Sequence, residues 1–420
     1  MKTLMLLSLL LLPFTATAAR ELKNFPDIPP DADSSFYLSL GGAKLLSGDM
    51  DALDGLSNVV ALGERNLKWL EYINSFRPMG EKLSLTSKDS QRGIPIDKPS
   101  EYNPPLIQQK LVDLKPQIPE AMQKVIFGNE AFTKEPPVAL ADYINWSREL
   151  DRVYQSALRW RTMAPWLSYL AERRHNDLRG WYFLSRLENR ADKLRHYEEL
   201  GDDVRMKVRG WLVNMCFNDN DDDTPAGCER VVDGKIAAKA DLEAYYQELA
   251  PHSAGMFNGY FAIPSYAARR EVRWEVGANG NPIVTAPFLD PGTAAVRSFL
   301  KDNIEDEWRF QNWRLELPFQ SSGSIPRVVF RPGVTPNVNG LGGDTITMNS
   351  QQPLTEYDAQ WTIRHEYGHV LGFPDCYVEF YERERNVIVN YQFDIENLMC
   401  SRRGHIQERH LSEMKRVYSN

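Results

Sequence analysis

The stretch from Trp361 to Asp375 constrains this chain most. It sets His365, Glu366 and His369 in a helix-forming run and follows them with Gly372, Pro374 and Asp375. Residues four apart lie one above the other on an α-helix, so His365 and His369 offer two imidazoles to one point in space. Zinc in a catalytic site takes three protein ligands and keeps a fourth position for water. Glu366 is placed to take a proton from that water without competing as a ligand, the role of a general base. With only seven histidines in 420 residues, chance is a poor explanation for this pair. Gly372 falls where the helix must stop and turn, because glycine takes positive φ at little cost. Pro374 blocks further helix, and the chain can then swing Asp375 back towards the metal.

The pattern H-E-x-x-H-x-x-G-x-x-D resembles the metzincin zinc metalloproteases, with aspartate in place of the usual third histidine as in the snapalysin-type variant. The resemblance implies zinc held by His365, His369 and Asp375, with Glu366 as catalytic base; carboxylate oxygen is an acceptable zinc ligand. Asn397-Leu398-Met399-Cys400-Ser401 is similar to the turn that in metzincins sets a methionine beneath the metal. Glu379, Glu382 and Glu384 remain open as alternative third ligands, although their charged run reads more simply as solvated surface. Tyr377, Tyr381 and Tyr391 each offer a phenol near the site in sequence, and no spacing selects one. His405 and His410 read as surface or packing residues.

Residues 1–19 carry a lysine, an apolar run from Leu4 to Pro13 and then Ala16-Thr17-Ala18, the pattern of a secretory signal with a small-residue cleavage site. The expectation is an exported protein, extracellular or periplasmic, without a membrane anchor after processing. About 400 mature residues suggest two domains. A net charge of -8 argues against nucleic acid as a bulk electrostatic partner. Four cysteines in an exported chain imply two disulfides, for which sequence alone allows three pairings. Cys216 with Cys228 would close an acidic loop, and Cys376 with Cys400, each beside a site residue, would clamp the site's floor.

The chain opens with proline-rich segments. From Val138, apolar residues recur at spacings of three and four, at Tyr143, Trp146, Leu150, Val153, Ala157 and Trp160 and again from Leu184 to Leu194, which predicts amphipathic helices. Asn218 to Asp223 alternates acidic and amide oxygens, the ligand type of calcium, but departs from an EF-hand loop. Ca2+ is therefore a candidate second cation. A last helix is expected near 237–249, and the rise in glycine and proline over 255–264 is read as a domain boundary. Beyond it come a strand at 271–276, a helix at 293–310, strands at 313–319 and 327–330, and a strand at 344–348. The metzincin resemblance implies that the last of these, Asp344 to Met348, is the sheet edge that pairs with an extended substrate. A final helix spans 407–418.

The expected fold class is α+β: a signal peptide at 1–19, a mostly helical accessory or pro-domain at 20–255, and a zincin-like catalytic domain with a mixed sheet and an active-site helix at 256–420. The function implied is a secreted zinc-dependent endopeptidase acting on a protein or peptide substrate. A binding protein on the same scaffold, or a zinc hydrolase of a non-protein amide such as a cell-wall crosslink, shares the site chemistry. No damaged Glu366 or missing histidine favours the binding protein.

Overall fold

A computed structural model of the protein describes residues 55–419 except 79–80, 86–92, 220–223, 279, 333 and 351. The expected signal at 1–19, the start of the proline-rich opening and most of the acidic loop lie outside the described residues.

Helix α1 (Ser57–Asn74), strand β1 (Ser100–Tyr102) and helix α2 (Pro104–Leu114) precede the long helix α3 (Leu140–Met163). The stripe Tyr143, Leu150, Val153, Ala157 and Trp160 is buried on α3 and shares a core with Val59, Trp69 and Ile73 of α1. Trp69 meets Tyr143 edge-on, ring centroids 5.0 Å apart. Trp146, at the same spacing, is only half-buried.

The helix expected through Leu184 and Leu194 is two short ones, α4 (Arg179–Ser185) and α5 (Arg190–Arg195). Asn189 takes a left-handed φ of 52° between them, which an α-helix cannot accommodate. Helices α6 (Asp202–Asp219), α7 (Pro225–Ala237) and α8 (Leu242–Gly259) follow, and Cys216–Cys228 bonds α6 to α7 as expected. Asp241 caps α8 by accepting from the backbone N–H groups of Glu243 and Ala244. This helix runs through Pro251 to Gly259, so the glycine-rich start of the expected boundary is helical. Burial of Phe257 holds the final turn against propensity.

The rest of the chain alternates short elements. In order they are β2 (Arg273–Val276), β3 (Pro282–Thr285), β4 (Phe288–Leu289), α9 (Ala294–Leu300), β5 (Arg309–Phe310), β6 (Trp313–Glu316), β7 (Phe319–Gln320), β8 (Arg327–Arg331), β9 (Asn337–Val338), β10 (Thr345–Asn349), α10 (Tyr357–Val370), β11 (Tyr377–Glu382), β12 (Val387–Gln392) and α11 (Glu408–Tyr418). The helix expected over 293–310 ends as an α-helix at Leu300, widens into a π turn at Lys301–Glu305 and gives way to β5. Among the described residues the sheets run β2-β3-β6-β5, β4-β7, β8-β10-β9 and β1-β12-β11.

Two consequences concern the expectations above. Strand β10 lies between β8, parallel to it over its whole length, and β9, which pairs with Ile346 and Thr347. The segment 344–348 is therefore a middle strand, not the edge expected; the two-residue β9 that covers it is too short to leave a sequence pattern. Strand β1, from the helical half, pairs antiparallel with β12 through Ser100↔Asn390 and Tyr102↔Ile388. Ile388 belongs to the core of α1 and α3, whereas Ile96 and Leu178 join the core around α10. The two halves thus share cores across residue 255. Among the described residues, no helix is long and apolar enough to cross a membrane.

Candidate metal centre

Helix α10 carries the first two candidate ligands on a buried face: His365 and His369 are 3 % and 2 % exposed, and Glu366 is buried beside them. The helix ends as its sequence predicts. Gly372 has a φ of +90°, its N–H donates to the His369 carbonyl at 3.0 Å, and the Phe373 N–H donates to the Gly368 carbonyl at 3.0 Å. This pair of bonds is the Schellman arrangement, which needs a left-handed residue where Gly372 sits. A Cβ there would also fall 2.8 Å from Ile263 Cγ2. The sharp turn returns the chain so that Asp375 Oδ1 lies 3.1 Å from His365 Nε2 and 3.5 Å from His369 Nε2.

The other ring nitrogens fix the tautomers. His365 Nδ1 bonds the Leu398 carbonyl and His369 Nδ1 the Phe373 carbonyl, both at 2.8 Å. A carbonyl only accepts, so each Nδ1 carries the proton. Burial pushes His365 down to about 4, with the neighbouring His369 and Arg402 adding to the effect. The ring is neutral at physiological pH, and its Nε2 presents a lone pair. Three electron-pair donors, two imidazole nitrogens and a carboxylate, therefore converge within 4.8 Å of one another. Such a set is repulsive until a cation sits among them. Tetrahedral coordination at 2.0–2.1 Å separates ligand atoms by about 3.3 Å, and the two separations to Asp375 bracket that value. The donor set fits a divalent metal with an affinity for nitrogen and oxygen.

The floor is built from the 397–401 turn. Asn397 Oδ1 accepts from the Met399 N–H at 2.8 Å, closing an Asx turn. A Cβ on Gly368 would lie 2.2 Å from Met399 Sδ and 3.1 Å from Trp308 Cζ2. Glycine there admits the methionine. Cys376 is tied to this turn twice, by its disulfide to Cys400 and by its N–H donating to the Met399 carbonyl at 3.1 Å. The residue after Asp375 is thus fastened to the turn under the histidines.

The alternative ligands lie elsewhere. Glu379, read as part of a solvated run, is 3 % exposed on β11. It is gripped by Arg159 of α3 through both carboxylate oxygens and by the Tyr102 hydroxyl. Burial first and the Glu379 charge second hold the Tyr102 phenol well above its ordinary range. Glu382 and Glu384 pair with Arg174. Tyr391 donates to Asp177 and Tyr381 to Asn386, which commits both phenols away from the histidines. His410 is buried against Trp308 and Phe373, and His405 is exposed beside Glu307. In the acidic loop, Asn218 turns inward, its Nδ2 donating to the carbonyls of His175 and Asp177.

Arg402 escaped the sequence reading. It is buried three residues after Met399, its charge acts on His365, and its Nη1 lies 3.9 Å from Asp358. Only its place just past the turn distinguished it beforehand.

No family model matches the chain, and no curated protein matches it. The solved structure of myroilysin aligns with 25% of this chain and 52% of its own, at 24% identity and a TM-score of 0.18. The chain spans about half of that protein, a likeness too loose to bear on fold or function.

Proposed function

We propose that the protein is an exported zinc-dependent endopeptidase whose C-terminal part is zincin-like, with zinc held by His365, His369 and Asp375. The observation that carries this reading is the convergence of two tautomer-fixed Nε2 lone pairs and one carboxylate oxygen within 4.8 Å of one another, above a methionine turn. Two disulfides agree with an oxidising compartment.

Zinc at this point supplies a Lewis acid that polarises a peptide carbonyl and acidifies a water. Glu366, next to His365 on the same helix, accepts the proton of the attacking water and hands it to the departing amine nitrogen. The carbonyls of Leu398 and Phe373 hold both imidazoles in register and raise their basicity. The Cys376–Cys400 bond keeps Asp375 from drifting away from them.

The test is elemental analysis of the purified protein beside Asp375→Ala. The expected result is about one zinc per chain in the parent and far less in the variant. A parent that takes up no zinc, even after refolding with the metal supplied, sinks the reading. Equal zinc in both proteins moves the third ligand away from Asp375.

A further inference from the structure

The three donors of the candidate centre depend on two irregular segments. His369 Nδ1 is held by the Phe373 carbonyl and His365 Nδ1 by the Leu398 carbonyl, and Asp375 itself lies in the first segment. Residues 373–376 form neither helix nor strand, and 398–400 are a turn. No repeating backbone ladder therefore sets the spacing between them. Two links run across: a backbone bond at 3.1 Å from the Cys376 N–H to the Met399 carbonyl, and the Cys376–Cys400 disulfide.

The other disulfide is a contrast within the same chain. Cys216 and Cys228 each sit inside a helix, α6 or α7, whose own hydrogen bonds fix it. Their sulfurs belong to an apolar core apart from the one around α10, to which Cys376 and Cys400 belong. One bond fastens elements that are already ordered. The other orders the surroundings of the donors.

We propose that the Cys376–Cys400 bond licenses metal loading: the site gains its full zinc affinity only once these two thiols have been oxidised. The chain then stays short of metal in the reducing compartment where it is made and loads after export; this rests on the exported zinc-enzyme reading above. Without the bond, binding must order two segments as well as coordinate the metal, and that ordering cost is subtracted from the affinity. The disulfide does the ordering in advance.

The reaction is thiol–disulfide exchange with a disulfide oxidant. One cysteine thiolate attacks the oxidant's S–S bond, and the other displaces the mixed disulfide so formed. The oxidant leaves as two thiols, which carry the two electrons and two protons given up by the cysteines. Cys376 and Cys400 are 0 % and 2 % exposed, so the oxidant reaches them before the core packs and a reductant is shut out afterwards. The device acts once, during maturation.

The test measures zinc affinity of the full chain by competition with a chelating dye, with circular dichroism to follow the fold. The parent is compared with the double variant Cys376→Ala, Cys400→Ala and with the control Cys216→Ala, Cys228→Ala. Loss of the pair beside the site should weaken zinc by about 10- to 100-fold, and loss of the remote pair by about twofold or less. Unchanged affinity without the near pair, or equal losses in both variants, overturns the proposal and leaves the zinc reading standing. A parent that takes up no zinc brings down both. Should the near-pair variant not fold, the parent still answers. Reduced, unfolded chain is refolded with zinc in oxidised glutathione, and free thiols are trapped and mapped over time. Chelator-resistant zinc should appear in step with the loss of the Cys376 and Cys400 thiols; its appearance while both are still free overturns the proposal.

Discussion

Asp375 and Glu379 lie four residues apart, their side chains 7 % and 3 % exposed, yet their surroundings are opposite. Glu379 is held by donors: the Arg159 guanidinium and the Tyr102 hydroxyl close on the carboxylate from the helical half. Around Asp375 the near ring nitrogens are two lone pairs held outward by bonds on the far side of each imidazole. A buried carboxylate met by donors is complete and holds the structure together. A buried carboxylate facing two lone pairs is repelled by them, and a cation between them relieves that repulsion. Burial and charge alone do not separate the two cases; the direction of the protons does.

The largest effect expected from this contrast is chemical. Glu366→Gln should keep zinc and the melting temperature while lowering peptide hydrolysis by about 10²- to 10⁴-fold. Full activity in that variant would remove Glu366 as the base. Next in size is a stability effect at the other carboxylate. Arg159→Ala leaves Glu379 buried without its partner and should cost about 3–5 kcal/mol in denaturant unfolding, with zinc content unchanged. The double variant Arg159→Met, Glu379→Leu should recover most of that loss; zinc lost alongside stability would merge the two regions this comparison separates.

A pH effect follows from His410. Burial pushes it down to about 4, whereas the unfolded side chain titrates near 6.5. As pH falls through 6.5 the unfolded chain takes up a proton that the folded one refuses until about 4. Stability should therefore decline across that window, by about 3 kcal/mol at most, and level off below it. Following the unfolding midpoint against pH for His410→Gln should show a flatter profile. The smallest effect is steric. Gly368→Ala drives a methyl into Met399 and should cost about 1–3 kcal/mol by overpacking, read in the melting temperature; no change would mean that the methionine can move away freely.

Much of the candidate metal centre was legible because its determinants are local. The i,i+4 histidines, the positive-φ glycine, the proline and the methionine turn each act through neighbours a few residues away. What escaped notice is carried by distant partners. Glu379 reads as surface because its own segment is charged, and its partners Arg159, 220 residues earlier, and Tyr102 make it internal. Strand β10 is placed at the edge by the metzincin resemblance, and β9, two residues long, leaves no pattern to correct it. Asn189 and Lys239, at φ of 52° and 51°, break or end helices without the glycine that would have announced the turn.

The pairing of β1 with β12 changes what a cut in this chain would achieve. Ser100 finds its partner at Asn390, so the earlier segment waits through most of synthesis before its sheet exists. A protease acting near residue 255 would sever the backbone but not separate the pieces. The N-terminal fragment would stay stitched in by a strand, a buried ion pair and a common apolar core. Such a nick is better pictured as a scar than as a release, and gel filtration after limited digestion would find both fragments travelling together.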